Sequence, residues 1–132
     1  MSTRRQFLAG AAMLAGASVL RAAPSFAWDF TMDKGIIYDE TQLGMWKGKE
    51  GLHVPIIDTK GMEVEVTTPH PMSEPHYIVR HTIVAEDGEV VHAKTFNWKD
   101  MPVSKATLKK KGKYVATSFC NKHDMWVKEF TL

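Results

Sequence analysis

From Gly61 to the chain end the sequence breaks into short apolar runs of strand length, each closed by turn residues, and this leaves little room for anything but stacked β-sheets. Residues 61–67 alternate as Met-Glu-Val-Glu-Val-Thr after the glycine, the period of a strand with one buried face. Residues 76–85 and 89–98 flank Glu86-Asp87-Gly88, where the glycine supplies the positive φ of a tight hairpin. Two more runs, 113–120 and 125–132, are parted by the turn Asn121-Lys122-His123-Asp124. Strands that bury one face need a second layer, so the pattern predicts an all-β fold, an immunoglobulin-like antiparallel β-sandwich. Residues 28–60 read as an irregular N-terminal arm, because Gly35, Gly44, Gly48, Gly51 and Pro55 punctuate short apolar pieces without a helical period.

The first 27 residues stand apart from that fold. Arg4 and Arg5 precede an apolar stretch from Ala9 to Leu20, and Ser25-Phe26-Ala27 offers small residues for cleavage before Trp28. This is the pattern of a twin-arginine export signal, too short and too rich in Ala and Gly for a membrane span. The expected organisation is a signal over 1–27 and one domain over 28–132, exported to the periplasm or beyond with the twin-arginine machinery as partner. That route carries folded proteins, so a metal bound during folding is installed before export.

Without Arg4, Arg5 and Arg21, the 17 basic and 15 acidic side chains of the whole chain become a net charge of −1. Nucleic-acid binding therefore has no global electrostatic support. Lys105, Lys109, Lys110, Lys111 and Lys113 crowd one segment, either as a solvated loop that protects a sheet edge or as a docking patch for an anion or an acidic electron donor.

Cys120 is the only cysteine, so no internal disulfide can form, and it opens the tetrapeptide Cys120-Asn121-Lys122-His123. A sulfur and an imidazole three positions apart at a strand end can reach the same ion. His53 lies in the arm, and His70 and His76 sit in a loop stiffened by Pro69, Pro71 and Pro75, which lowers the entropy lost when both are fixed. One thiolate and four imidazoles make a mononuclear metal site. The other two histidines read as structural. His81 alternates with Tyr77, Val79 and Ile83 on the apolar face as a hydrogen-bonded core residue, and His92 shares a solvent-facing side with Lys94.

The series His53-Val54-Pro55, then His70-Pro71 with His76-Tyr77-Ile78, then Cys120-Asn121-Lys122-His123 followed by Trp126 resembles superoxide reductase, the desulfoferrodoxin and neelaredoxin family, over residues 46–132. The resemblance implies an immunoglobulin-like sandwich holding one square-pyramidal iron, with His53, His70, His76 and His123 equatorial and Cys120 axial. It implies an oxidoreductase that reduces superoxide by one electron to hydrogen peroxide, supplied by an external donor such as a rubredoxin-like or cytochrome-type protein. The four-cysteine iron domain of some members has no cysteines here, which leaves the one-iron form. The chemistry agrees: five protein ligands on an ion that prefers six leave an open position, and an anionic thiolate pushes electron density toward it.

One departure stands out. The family places a glutamate and a lysine directly before its first histidine, and this chain has Gly51 and Leu52 there. Lys49 and Glu50, just upstream, are the candidate catalytic substitutes if Gly51 lets the loop fold back, and an exposed charged loop otherwise. Two other functions stay open at this point: a redox or small-molecule sensor or electron carrier with the same site and little turnover, and a sulfur carrier using Cys120, which requires an exposed thiol on a flexible tail. A homo-oligomer also stays open.

Overall fold

The computed structural model describes residues 36–132; the expected export signal over 1–27, its expected cleavage point and the first residues of the arm lie outside the described residues. Eight strands follow in chain order: β1 (Ile37–Tyr38), β2 (Ile56–Lys60), β3 (Glu63–Thr67), β4 (Ile78–Ala85), β5 (Val90–Thr95), β6 (Val103–Thr107), β7 (Lys113–Cys120) and β8 (Asp124–Thr131). They form a five-stranded sheet in the order β1-β8-β7-β4-β5 and a three-stranded sheet in the order β2-β3-β6. All pairings are antiparallel except the short β1, which runs parallel to β8 with Tyr38 buried against Trp126, ring centres 5.3 Å apart. The fold is the all-β sandwich that the alternation predicts.

The layers meet through side chains of opposite sheets. Val64 and Val66 of β3 pack with Ile83 of β4 and with Tyr114 and Ala116 of β7, closed at the edge by Leu108. A second, smaller cluster of Ile78, Phe96 and Cys120, with Met72 against it, lies toward the other end of β4 and β7. Between the two sits a polar layer of His81, Thr68, Ser104 and Ser118, all buried.

Three readings of the sequence need correction. The arm contains a 3-10 turn (Gly44–Trp46), a single helical turn α1 (Glu50–His53) and the strand β2. β2 was hidden because it is an edge strand exposed along nearly its whole length, so it carries no apolar alternation. β6 was hidden by the lysine-rich stretch it precedes. In β4 the register slips between Ile78 and Arg80, and this irregularity brings Ile78 and His81 both to the interior, whereas strict alternation put Val79 there. His92 lies opposite the fully buried Ile83 and is half-buried; its Nε2 is shielded from water without a hydrogen-bond partner. It is not a solvent-facing residue.

The lysines do not form one patch. Lys105 lies on β6 and pairs with Glu65 across the strand at 3.5 Å, an exposed contact worth about 0–1 kcal/mol. Lys109, Lys110 and Lys111 occupy the turn before β7, where the Tyr114 hydroxyl donates to the Lys110 carbonyl at 2.5 Å. The eight residues of β7 separate that turn from Cys120, roughly 23 Å at strand rise. This is more than two Debye lengths at physiological salt, so these charges do not steer an anion to the cysteine end.

Candidate metal centre

The chain brings His53, His70, His76, Cys120 and His123 together at one end of the sandwich, with a donor atom from each lying within 4.8 Å of the others. His53 ends α1, which Pro55 prevents from continuing. His70 follows β3, its N–H donating to the Thr68 carbonyl at 2.7 Å. His76 closes the proline-bracketed loop by a bridge to Ser73. Cys120 ends β7, and His123 lies in the turn to β8.

The imidazoles form a closed ring in the order 53, 70, 76, 123. Neighbouring ring centres are 4.5–4.8 Å apart at 60–80° to each other, and His53 faces His76 across the ring at 6.4 Å. His70 Nε2 and His76 Nε2 are 3.2 Å apart, and His76 Nε2 and His123 Nδ1 3.1 Å. An imidazole nitrogen has one in-plane proton or one lone pair, so His76 Nε2 cannot satisfy both neighbours by hydrogen bonding. Nitrogens bound at right angles on one ion at ~2.1 Å would lie about 3.0 Å apart, close to the spacing here. His53 donates Nδ1–H to the Lys49 carbonyl at 2.8 Å, leaving Nε2 buried without a partner. That orphaned atom is what a metal ligand held in the right tautomer looks like.

The Cys120 sulfur lies 3.6 Å from His123 Nδ1 and 3.9 Å from His70 Nε2. It is fully buried, as are His53 and His70, whereas His76 and His123 are half-buried, so the cluster is closed on the sulfur side and open toward solvent. Burial, foremost, holds all four imidazoles below the ordinary histidine range, His70 at about 4 with the charges of His53 and His76 adding to it. They are neutral at pH 7 and keep their lone pairs for an ion. Burial pushes the Cys120 thiol up, while the backbone N–H groups of Lys122 and His123 favour the thiolate. A bound cation would take the place of the thiol proton. The donor set fits a single iron, for which imidazole and thiolate are both suitable. The burial of Cys120 and the full strand after it remove the basis for a carrier thiol.

Lys49 and Lys122 direct their charges at the cluster: both oppose protonation of His76, and Lys49 also that of His53 and His123. Glu50 Oε1 instead accepts the Gly48 N–H at 2.8 Å, closing a turn in which Gly48 has φ +94°. Three residues support the cluster, and the sequence offered two of them, Asn121 and Trp126, only as members of the motif, with no role. Asn121 accepts the Tyr77 N–H at 2.9 Å and donates Nδ2 to the Pro75 carbonyl at 3.1 Å, clamping the histidine loop to the cysteine turn. Trp126 donates Nε1 to the His123 carbonyl at 2.9 Å. Trp46 lies edge-on to the His123 ring at 4.6 Å and donates Nε1 to Asp124 Oδ2 at 3.2 Å. The only available signal for them was adjacency: Asn121 sits inside the C-x-x-H turn and Trp126 just beyond it. Trp46, 77 positions before His123, gave none.

Comparison with known proteins agrees with this geometry. The desulfoferrodoxin family matches residues 44–129. A curated superoxide reductase of Pyrococcus abyssi is 32% identical over 116 residues, covering 74% of this chain and 99% of the relative. One from Thermococcus kodakarensis is 32% identical over 108 residues, covering 67% and 92%. The solved superoxide reductase (neelaredoxin) of Ignicoccus hospitalis shares the fold, with a TM-score of 0.65 at 23% identity over 73% of this chain and 92% of that one. A sandwich that gathers four imidazoles and its single thiol at one end, and matches that family over most of its described length, belongs to the desulfoferrodoxin family.

Proposed function

We propose that the protein is an exported one-iron superoxide reductase, converting superoxide to hydrogen peroxide at an iron held by His53, His70, His76, His123 and Cys120. The observation that carries the reading is the convergence of these donors on a space closed by the sulfur and open to solvent. His53, His70 and His76 would offer Nε2 and His123 Nδ1. The reaction takes up one electron and two protons per superoxide. Bound iron supplies the electron and a free coordination position, with the thiolate raising its electron density.

The remaining work falls to the chain's own side chains. The Lys49 carbonyl and the Asn121 clamp hold the ligands before substrate arrives, so little reorganisation is needed. The positive charges of Lys49 and Lys122, which both oppose protonation of His76, attract the anion to the open side. Solvent water at the open side supplies the protons. Glu50 secures the turn that carries Lys49. The relatives named superoxide reductase support the substrate. The electron comes from an external donor of rubredoxin-like or cytochrome type, and Arg4-Arg5 with the apolar stretch behind them supports export to the periplasm.

The test is the stoichiometry of the reduced, iron-loaded protein. Reduction yields one hydrogen peroxide per superoxide with one electron drawn from the reductant, whereas dismutation yields one per two with release of dioxygen. Tight iron binding without superoxide consumption would replace this reading with that of an electron carrier or sensor.

A further inference from the structure

The polar layer between the two apolar clusters is not explained by the metal centre itself. Thr68, His81 and Ser118 are completely buried and Ser104 nearly so. Thr68 Oγ1 lies 2.8 Å from His81 Nε2 and 2.7 Å from Ser118 Oγ, and His81 Nδ1 lies 3.0 Å from Ser104 Oγ. The three contacts join β4, β6, β7 and the exit of β3, so they bridge both sheets. One imidazole proton and two hydroxyl protons suffice for the three contacts, and every group in the layer takes part in at least one of them.

The placement relative to the cluster is specific. Thr68 lies two residues before His70 and Ser118 two residues before Cys120, so the Thr68–Ser118 contact and the His70–Cys120 contact are successive rungs, each joining residues 50 apart in sequence. The lower rung is a 2.7 Å hydrogen bond; the upper is a 3.9 Å approach of ring nitrogen to sulfur. Thr68 is further tied by its N–H to the Pro102 carbonyl, and its own carbonyl accepts the His70 N–H at 2.7 Å. His81, backed edge-on by Phe96 at 4.8 Å, holds the Thr68 hydroxyl in place from the other side. Apolar contacts would tolerate a slide of the β3 exit along β7, but directional hydrogen bonds do not.

We propose that this buried layer positions the pair His70 and Cys120, with His81 as the residue that locks it, and so sets the spacing of imidazole and sulfur in the metal centre. The inference rests on the metal-site reading above. Its residues touch no ligand atom and act only through the backbone of the two that do.

The experiment uses the folded protein with Co²⁺ as probe metal, reading the sulfur-to-cobalt charge-transfer band and the affinity by chelator competition. Thr68→Val, nearly the same shape without the hydroxyl bonds, and His81→Leu are each expected to displace the band and weaken Co²⁺ binding on the order of tenfold. His81→Gln, which can still reach both hydroxyls, should restore the band. Ile83→Val, a loss of packing in the other cluster, should lower the unfolding midpoint and leave the band unmoved. If the wild type shows the band and Thr68→Val and His81→Leu leave band and affinity unchanged, the positioning role falls and the metal site stands. If the wild type itself gives no such band, the metal-site reading falls and this inference with it.

Discussion

Lys49 and His53 are joined across one helical turn: the imidazole donates Nδ1–H to the Lys49 carbonyl at 2.8 Å. One residue therefore orients His53 with its backbone and opposes protonation of the same imidazole with its charge. Lys49 lies three residues before Leu52, the place where the family resemblance expects a lysine, and it caps the start of α1.

Lys49→Ala keeps the carbonyl and removes the charge. We expect superoxide capture to slow about two- to fourfold at low ionic strength, with the difference vanishing as salt shortens the screening length to ~3 Å at 1 M. Glu50→Gln, which keeps the acceptor for Gly48, should capture at least as fast as the wild type. Pulse kinetics across a salt series check both; a salt-independent loss in Lys49→Ala would assign Lys49 to proton transfer and not to attraction.

Cys120→Ser removes the only sulfur donor within the cluster. The iron-loaded variant should lack the visible thiolate-to-iron band of the oxidised protein while retaining its β-sheet circular dichroism. Persistence of the band would show that sulfur is not a ligand.

His81 is held well below the ordinary histidine range, at about 4, by burial first and by the charges of His92 and Lys94 second. The folded protein thus refuses a proton that the unfolded chain accepts below about 6.5. Its contribution to stability is complete above that pH and is lost as pH falls toward 4, in all about 3 kcal/mol. Denaturant unfolding from pH 7 to 4 should show a shallower decline in His81→Gln than in the wild type. The cluster histidines are common to both proteins and cancel in the difference; parallel curves would mean that His81 does not titrate in this window.

Arg4→Lys with Arg5→Lys tests the export proposal. Fractionation should find the doubly substituted, iron-loaded protein retained in the cytoplasm and the unsubstituted protein outside it. Equal export of both would point to the general secretory route and to metal acquisition after export.

β3 was legible in the sequence because it buries one face, written as alternation in Val64/Val66, whereas β7 and β8 were legible as apolar runs parted by a turn, with the adjacent Tyr114, Val115 and Ala116 and the adjacent Trp126 and Val127 all buried. The five cluster residues were legible because their residue types are scarce and sit at turns: one cysteine, and histidines beside prolines. What only the tertiary structure decided concerns residues whose neighbours are distant along the chain. The edge strand β2 carries no burial pattern. The slip between Ile78 and Arg80 is a property of the β4–β7 pairing, and it is what puts Ile78 instead of Val79 on the buried side with His81 and Ile83. The choice of Nε2 at His53 and Nδ1 at His123 depends on which carbonyl or ring each imidazole meets after folding. Local sequence determines which side chains can bind an ion, whereas their spacing and tautomers follow from hydrogen bonds between segments 50 residues apart, which exist only once the two sheets have closed.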